Sequence, residues 1–386
     1  MRRGIAGAAA ALLVTVGLAA CGSAPSQQPP QPSSLPAAQG ELVLDHSLEL
    51  EYATQFSVDF YEGGYAAISI ADGSSYLVIP QGQPIPSGVD EDTVLLQQPL
   101  DRTYLVATSA MDIICKAGAL GNIRLSGTDA DGWYIPAARQ AMEEGEILYA
   151  GKYNAPDYEL IYAEDCSLAI ESTMIYHTPE VKEQLERLGV PVLVERSSYE
   201  ESPLGRMEWI KLYGVLFDCE AQAEARYQQA LEGIEEILGA ENTGKTVAFF
   251  YITSNGAANV RKSGDYVTRM IEMAGGNYAF PDLGEEDNAL STVNLQMETF
   301  YAGAKDADLL IYNSTIDGEL HTVEELLAKS DLLADFKAVK EGNVWCTSQN
   351  LFQSTMGLGE MIRDTHTVLT EEDPSPESLT FLYRLT

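Results

Sequence analysis

The chain is short of cations. Of its 386 residues, 23 are Lys or Arg against 58 Asp or Glu, a formal charge of −35. Nucleic-acid phosphates and anionic lipid surfaces repel such a molecule, so no nucleic-acid partner is expected for the folded part. Histidine is scarcer still. There are four, His46, His177, His321 and His366, and no two stand at i, i+4. That spacing would put two imidazoles on one helix face for zinc; neither H-E-x-x-H nor G-x-S-x-G occurs. Cysteine supplies no metal framework. Cys115, Cys166, Cys219 and Cys346 are far apart, with no C-x-x-C pair. They read mostly as small buried hydrophobes, and any disulfide pairing is not legible. No cofactor and no resident metal are expected.

Long apolar runs are also missing, with one exception. The opening MRRGIAGAAAALLVTVGLAAC has two arginines before a small, apolar run at 4–20. This is the charged head and apolar core of a secretory signal, short and rich in Ala and Gly for a permanent span. Leu18-Ala19-Ala20-Cys21 resembles a bacterial lipobox. That resemblance implies cleavage before Cys21 and a diacylglycerol thioether on its sulfur, which anchors the protein to the outer face of the cell membrane. Residues 1–21 are thus the lipoprotein signal with its cysteine. Residues 22–40 are Pro, Ser, Gln, Ala and Gly without charge. They bury too little to fold and act as a tether.

One motif is misleading. Gly239-Ala240-Glu241-Asn242-Thr243-Gly244-Lys245-Thr246 matches G-x-x-x-x-G-K-[ST]. A phosphate loop needs a strand before it and a helix after it, so that amides and helix dipole point at phosphate. Here a helical segment precedes and TVAFFYIT follows, so the segment reads as a helix end and linker. Asp129-Ala130-Asp131-Gly132 begins like a calcium loop but lacks the later acids, and reads as an exposed turn.

What is present is alternation. Residues 41–100 hold β-like pieces, two of them flanking the turn Ala71-Asp72-Gly73. From 102 to 194 short β-branched runs alternate with helical patterns, which predicts a parallel sheet covered on both faces. From 205 to 243 no strand signal appears. A second alternation starts at 246. The expectation is α/β: two lobes with mostly parallel sheets, 41–204 and 244–386, joined by a helical segment at 205–243. Ligands of open α/β sheets collect at strand carboxyl ends. Those ends are Ser109-Ala110-Met111, Ser172-Thr173-Met174, Ser197-Ser198-Tyr199-Glu200, Ser254-Asn255-Gly256, Asn313-Ser314-Thr315 and Ser348-Gln349-Asn350. They are small and polar with no nucleophile–base pair, a lining for binding rather than chemistry. Arg261-Lys262 is placed to reach the cleft or to lie on the surface. His177 is placed beside a ligand or above the helix at Pro179.

This organisation resembles the substrate-binding proteins of bacterial ABC importers for ferric siderophores, haem and cobalamin. The resemblance spans about residues 100–370. It is carried by ESPLGRMEWIKLYGVLF with EAQAEARYQ, by SGDYVTRMIEMAGGNYAF, by KDADLLIYN and GNVWCTSQN, and by GKYNAPDYELIYAEDCSLAI. It implies two α/β lobes joined by one long backbone helix, with the ligand cleft between them. It further implies a monomer that hands an iron complex or corrinoid to an ABC permease and is not an enzyme. It also implies two permease-docking glutamates, which map to Glu159 and Glu298. Strand ends and family position together nominate Ser109, Met111, Ser172, Thr173, Tyr199, Glu200 and Arg206 in the first lobe. Asn255, Arg261, Tyr266, Asn313, Trp345 and Gln353 face them from the second. Arg206 is placed either toward the cleft or against Glu208 or Glu201. A stiff connecting helix predicts closure by small tilts, with Gly214 and Asp218 as the soft point. Three alternatives stand beside this one. They are a bare-metal receptor of the same fold, a chelatase-like enzyme using His177 with Glu171 or Glu200, and an adhesion or signalling module.

Overall fold

Three large sheets, with a two-stranded hairpin beside the second, organise the computed structural model, which describes residues 41–284 and 292–386. The signal segment, Cys21 and the tether lie outside the described residues.

The first sheet sets β1 (Leu44–Ser47), β2 (Phe56–Tyr61), β3 (Tyr65–Ile70), β4 (Ser75–Ile79) and β5 (Val94–Gln97) side by side in chain order. It is antiparallel as far as β4, and β5 joins parallel. The turn at Asp72-Gly73 makes the expected β3–β4 hairpin, with Gly73 at φ 92° and Asp72 accepting from the Ser74 amide. Phe56, Val58, Ile68, Tyr76 and Val78 are buried in the largest core cluster, which also holds residues of the first lobe. The Tyr76 hydroxyl donates to the Val192 carbonyl at 2.8 Å, tying this sheet to that lobe.

The second sheet follows as β6 (Thr103–Leu105), α1 (Thr108–Lys116), β7 (Ile123–Ser126), α2 (Pro136–Glu143), β8 (Leu148–Tyr149), a small hairpin of β9 (Gly151–Lys152) and β10 (Ala155–Pro156), α3 (Tyr158–Ala163), β11 (Leu168–Ser172), α4 (Pro179–Arg187) and β12 (Val192–Glu195). Its order is β12-β11-β6-β7-β8, parallel throughout. One face packs with α1 and the crossing helix, the other over Tyr104, Ile161, Val181 and Leu185. This is the layered result of short apolar strands alternating with helices.

The chain then crosses once. Helix α5 (Pro203–Phe217) starts at Ser202, whose side chain accepts from the Gly205 amide, with Pro203 at its first position. Thirteen of its fifteen residues are buried, since it is apolar all round rather than on one stripe. It packs on α1 of the first lobe and, in the second, on α8 (Tyr266–Met273) and α13 (Leu358–Thr370). The expected single rod is not what forms. Asp218 takes a left-handed conformation, φ 56°, and ends α5. Helix α6 (Glu220–Glu232) then packs against α5 at Gly214, where an added Cβ would lie 2.9 Å from that of Ala223. A short α7 (Glu235–Leu238) leads into the second lobe, so the loop-like 239–246 motif runs from helix to strand, the reverse of a phosphate loop.

The second lobe comprises β13 (Thr246–Ile252), β14 (Ala258–Arg261), α8, β15 (Asn277–Tyr278), β16 (Thr292–Leu295), α9 (Met297–Ala304), β17 (Leu309–Tyr312), α10 (Ser314–Asp317), α11 (Val323–Lys329), α12 (Lys337–Glu341), β18 (Val344–Thr347), α13 and β19 (Leu382–Arg384). Its centre, β13-β17-β18, is parallel. Its margins β14, β16 and β19 are antiparallel, so this sheet is more mixed than expected. The polar run before β14 is the reason: Gly256 at φ 79° turns the chain straight back into a hairpin.

Candidate functional site

Both lobes open cavities at the carboxyl ends of their strands. In the first lobe the exits of β6, β7 and β11 bring Thr108, Thr128, Asp129 and Ser172 together with Lys152 and Tyr153 from the β9–β10 tip. They line a cavity of about 460 Å³. Gly127 is needed there: an added Cβ would stand 3.0 Å from the Val106 Cα. In the second lobe Thr253, Ser254 and Asn255, past the end of β13, join Asn294, Ile316 and Asp317 around about 420 Å³. Thr253 is fixed by its own turn, donating to the Asn255 side chain and the Ala257 carbonyl.

A seam joins the lobes. The Gln353 amide accepts from Tyr134 N at 2.7 Å and donates to the Gly132 carbonyl at 2.8 Å. Thr355 Oγ1 donates to the Ser109 carbonyl at 2.8 Å, and buried Asp112 accepts from Met356 N at 2.8 Å. Burial raises the Asp112 acid above its usual range, against the pull of that amide. The Tyr134 and Phe352 rings meet edge-on at 5.8 Å. Further along, the Arg206 guanidinium lies 3.6 Å from the Tyr266 ring centroid, a cation–π contact between lobes. Burial depresses the Arg206 pKa, while Tyr266, Asp265 and Glu195 act to raise it. Glu195 accepts from Ser109 Oγ at 2.9 Å and Ser197 N at 2.8 Å, yet burial still holds its acid high.

Comparison with known proteins now bears on this architecture. A family model described as periplasmic binding protein matches residues 124–351, more than half of the chain. The chain belongs to the periplasmic binding protein family. Among its relatives is an uncharacterized lipoprotein, MJ0878, of Methanocaldococcus jannaschii, 24% identical over 325 residues that cover 80% of this chain and 75% of that one. Among solved structures, the periplasmic heme binding protein HutB of Vibrio cholerae superposes with a TM-score of 0.57 at 17% identity, covering 70% of this chain and 100% of that one. A protein of an ABC-type Fe3+-hydroxamate transport system from Saccharomonospora viridis gives 0.52 at 17%, covering 70% and 93%. At such identities the structural likeness carries the fold alone.

Within this periplasmic binding protein, the nominated residues divide. Ser172 and Asn255 line the two cavities, and Thr173 follows Ser172, half-buried. Tyr199 is half-buried, with the Arg196 guanidinium 4.2 Å from its ring centroid. Ser109, Arg206 and Tyr266 sit at the seam. Arg206 takes neither expected acid; it donates to the carbonyls of Ser198 and Glu200. Arg261 lies on β14 facing Phe249, 3.7 Å from Asp265, whose carboxylate holds the guanidinium's pKa up although burial works against it.

Five nominations are corrected. Met111 is fully buried, because it lies on the core face of α1. Asn313 is buried as the N-cap of α10, accepting from Thr315. Trp345 offers no free face: it is 3% exposed within β18, with Arg384 stacked 4.8 Å from its centroid. Gln353 is consumed by the seam. Glu200 is buried under the N-terminal extension, accepting from Thr54 N, Gln55 N and Trp209 Nε1. A second acid acts alike: buried Glu208 accepts from the amides of Glu51, Tyr52 and Ala53 and pairs with Lys211 at 3.1 Å. The extension 41–100 is thereby clamped onto the start of α5. The docking candidates Glu159 and Glu298 are exposed in the first turns of α3 and α9, unpaired among the described residues.

Sequence reasoning missed Glu195, Asp112, Tyr134 and Thr355. An acid on the apolar face of α1 was a signal for Asp112, and an acid closing the apolar run of β12 was one for Glu195. Nothing local marks Thr355 or Tyr134, whose partners lie in the other lobe.

Proposed function

We propose that this protein is a lipid-anchored solute-binding protein. It captures an iron complex (ferric siderophore or haem) or a corrinoid outside the cytoplasm and delivers it to an ABC import permease, with no chemistry on the cargo. The observation that carries this is the pair of polar strand-end cavities, one per lobe, in a family member whose chain crosses between lobes once. The relatives' names support the cargo class, being a heme binding protein and an Fe3+-hydroxamate transport component. The name of the Methanocaldococcus relative supports the anchor on Cys21. Glu159 and Glu298 are assigned to permease docking.

The alternatives find less support. A bare-metal receptor wants three or four converging ligands, and among the described residues no three His, Cys, Asp or Glu side chains are grouped to hold an ion. A chelatase-like site wants His177 beside an acid. His177 is exposed, Glu171 is fully buried, and Glu200 is committed to the extension. The test is fluorescence titration with haemin, a ferric hydroxamate, a ferric catecholate and cobalamin. Trp133 reports, since its neighbour Gly132 lines the first cavity. Saturable quenching by at least one is expected; silence from all four overturns the reading.

A further inference from the structure

The cations around the strand ends already have anionic or carbonyl company. Arg206 is held by two carbonyls and flanked by Glu195 and Asp265. Arg261 stands beside Asp265. Arg196 donates to Gln55 and to the Tyr176 hydroxyl, which itself donates to Asp72 at 2.9 Å. In the second cavity Asp317 is paired with Lys329. In the first, Lys152 shares the lining with Asp129. Positive groups near the strand ends are therefore few and stand among acids and carbonyls, within a chain of formal charge −35. Exposed apolar or aromatic side chains also stand nearby: Met174 and Tyr176 after β11, Ile316 after β17, and Tyr134 with Phe352 at the seam.

A triply negative ligand entering such a site loses water and meets few cations, most of them already engaged. It must break an existing pair or remain uncompensated in a desolvated place, and both are costly. The field of the whole molecule also lowers its local concentration. A large complex with an apolar surface and little net charge meets neither obstacle and uses the exposed rings. Resting on the binding-protein reading above, we infer that the cargo is an uncharged or singly positive complex, of the ferric hydroxamate or corrinoid kind, and not a polyanion such as a ferric tris-catecholate.

The experiment is calorimetric titration of the lipid-free chain with four probes at low and high salt. They are ferric desferrioxamine (singly positive), cyanocobalamin (uncharged), the ferric complex of a tris-catechol siderophore (triply negative) and haemin. One of the first two should bind at least about tenfold tighter than the catecholate, with an affinity that salt changes by less than about threefold. Tightest binding by the catecholate or haemin overturns this inference and leaves the parent reading standing. Silence from all four overturns both. Asp317→Asn leaves Lys329 without its counter-ion. It should raise catecholate affinity at least about threefold relative to that of the preferred probe. No gain would mean that charge matching does not exclude the polyanion.

Discussion

Glu171 is fully buried on β11, beside Tyr104 and Tyr158, and neither of its carboxylate oxygens has a hydrogen-bond partner. Burial alone pushes its acid from an ordinary 4.5 up to about 8. The folded state therefore holds this proton more tightly than the unfolded state does. Between those two values the unfolded chain has already lost the proton, so raising the pH across that window costs stability. Glu171→Gln removes the ionisation. It should flatten the decline and leave the variant more stable than the parent at pH 8, on the order of a few kcal/mol, with little difference at pH 5. Urea melts at the two pH values check this; parallel slopes for both proteins would refute it. The same residue shows where sequence reading stops. A side chain beside a strand end looks alike in sequence whether it lines a cavity, as Ser172 does, caps a helix, as Asn313 does, or fills the core, as Met111 does. Strand pairing and helix phase decide, and both are set by tertiary contacts.

Helix α5 is the element on which the lobes meet, and Glu200 and Glu208 fix its start to the extension. Gly205 admits that contact, since a Cβ there would stand 2.8 Å from the Tyr52 carbonyl oxygen. Removing Glu208 leaves the amides of Glu51, Tyr52 and Ala53 without their acceptor and takes one of its partners from Lys211, which keeps Glu224 and the Glu49 carbonyl. Glu208→Ala should cost about 3 kcal/mol or more by denaturant unfolding. It should also speed amide exchange at residues 51–53 ahead of the rest of α5. Equal protection of 51–53 in variant and parent would show that the clamp holds nothing. The helical crossing was legible because residues 205–243 lack any strand period, and its soft point at Gly214 and Asp218 was legible with it. The fold-back was not: the left-handed turn at Asp218 sets α6 against α5 at Gly214, a tertiary contact. The extension's sheet was legible too, from its alternation and its Asp72-Gly73 turn. Its attachment was not, because Glu200 reads as a cleft residue at a strand end and Glu208 as a partner for Arg206.

Two lobes could be foreseen because each alternates strand and helix within itself, but the seam between them could not. Gln353 meets Tyr134 across 219 positions, and no local pattern encodes such a pair. With α5 buried and the seam bonded on both sides of Ser109, the lobes have little freedom to swing apart. Small-angle scattering with and without bound cargo should show little change in radius; a large contraction would mean that the seam opens in the free protein. That rigidity bears on delivery. On the delivery reading, a receptor that hardly changes shape must be recognised through a fixed surface, and Glu159 and Glu298 would offer one exposed charge from each lobe, unpaired among the described residues. Both stand in the first turn of a helix that leads into a central strand, α3 into β11 and α9 into β17. Reversing both, as Glu159→Arg with Glu298→Arg, places cations where cationic groups of a permease would sit. Like charges at an interface cost several kcal/mol, so uptake by cells carrying the variant should fall at least about tenfold. Cargo affinity should be unchanged, because neither residue lines either of the two strand-end cavities. Full uptake by the variant would remove these two residues from the docking surface, and a loss of cargo affinity would place them at the cleft instead.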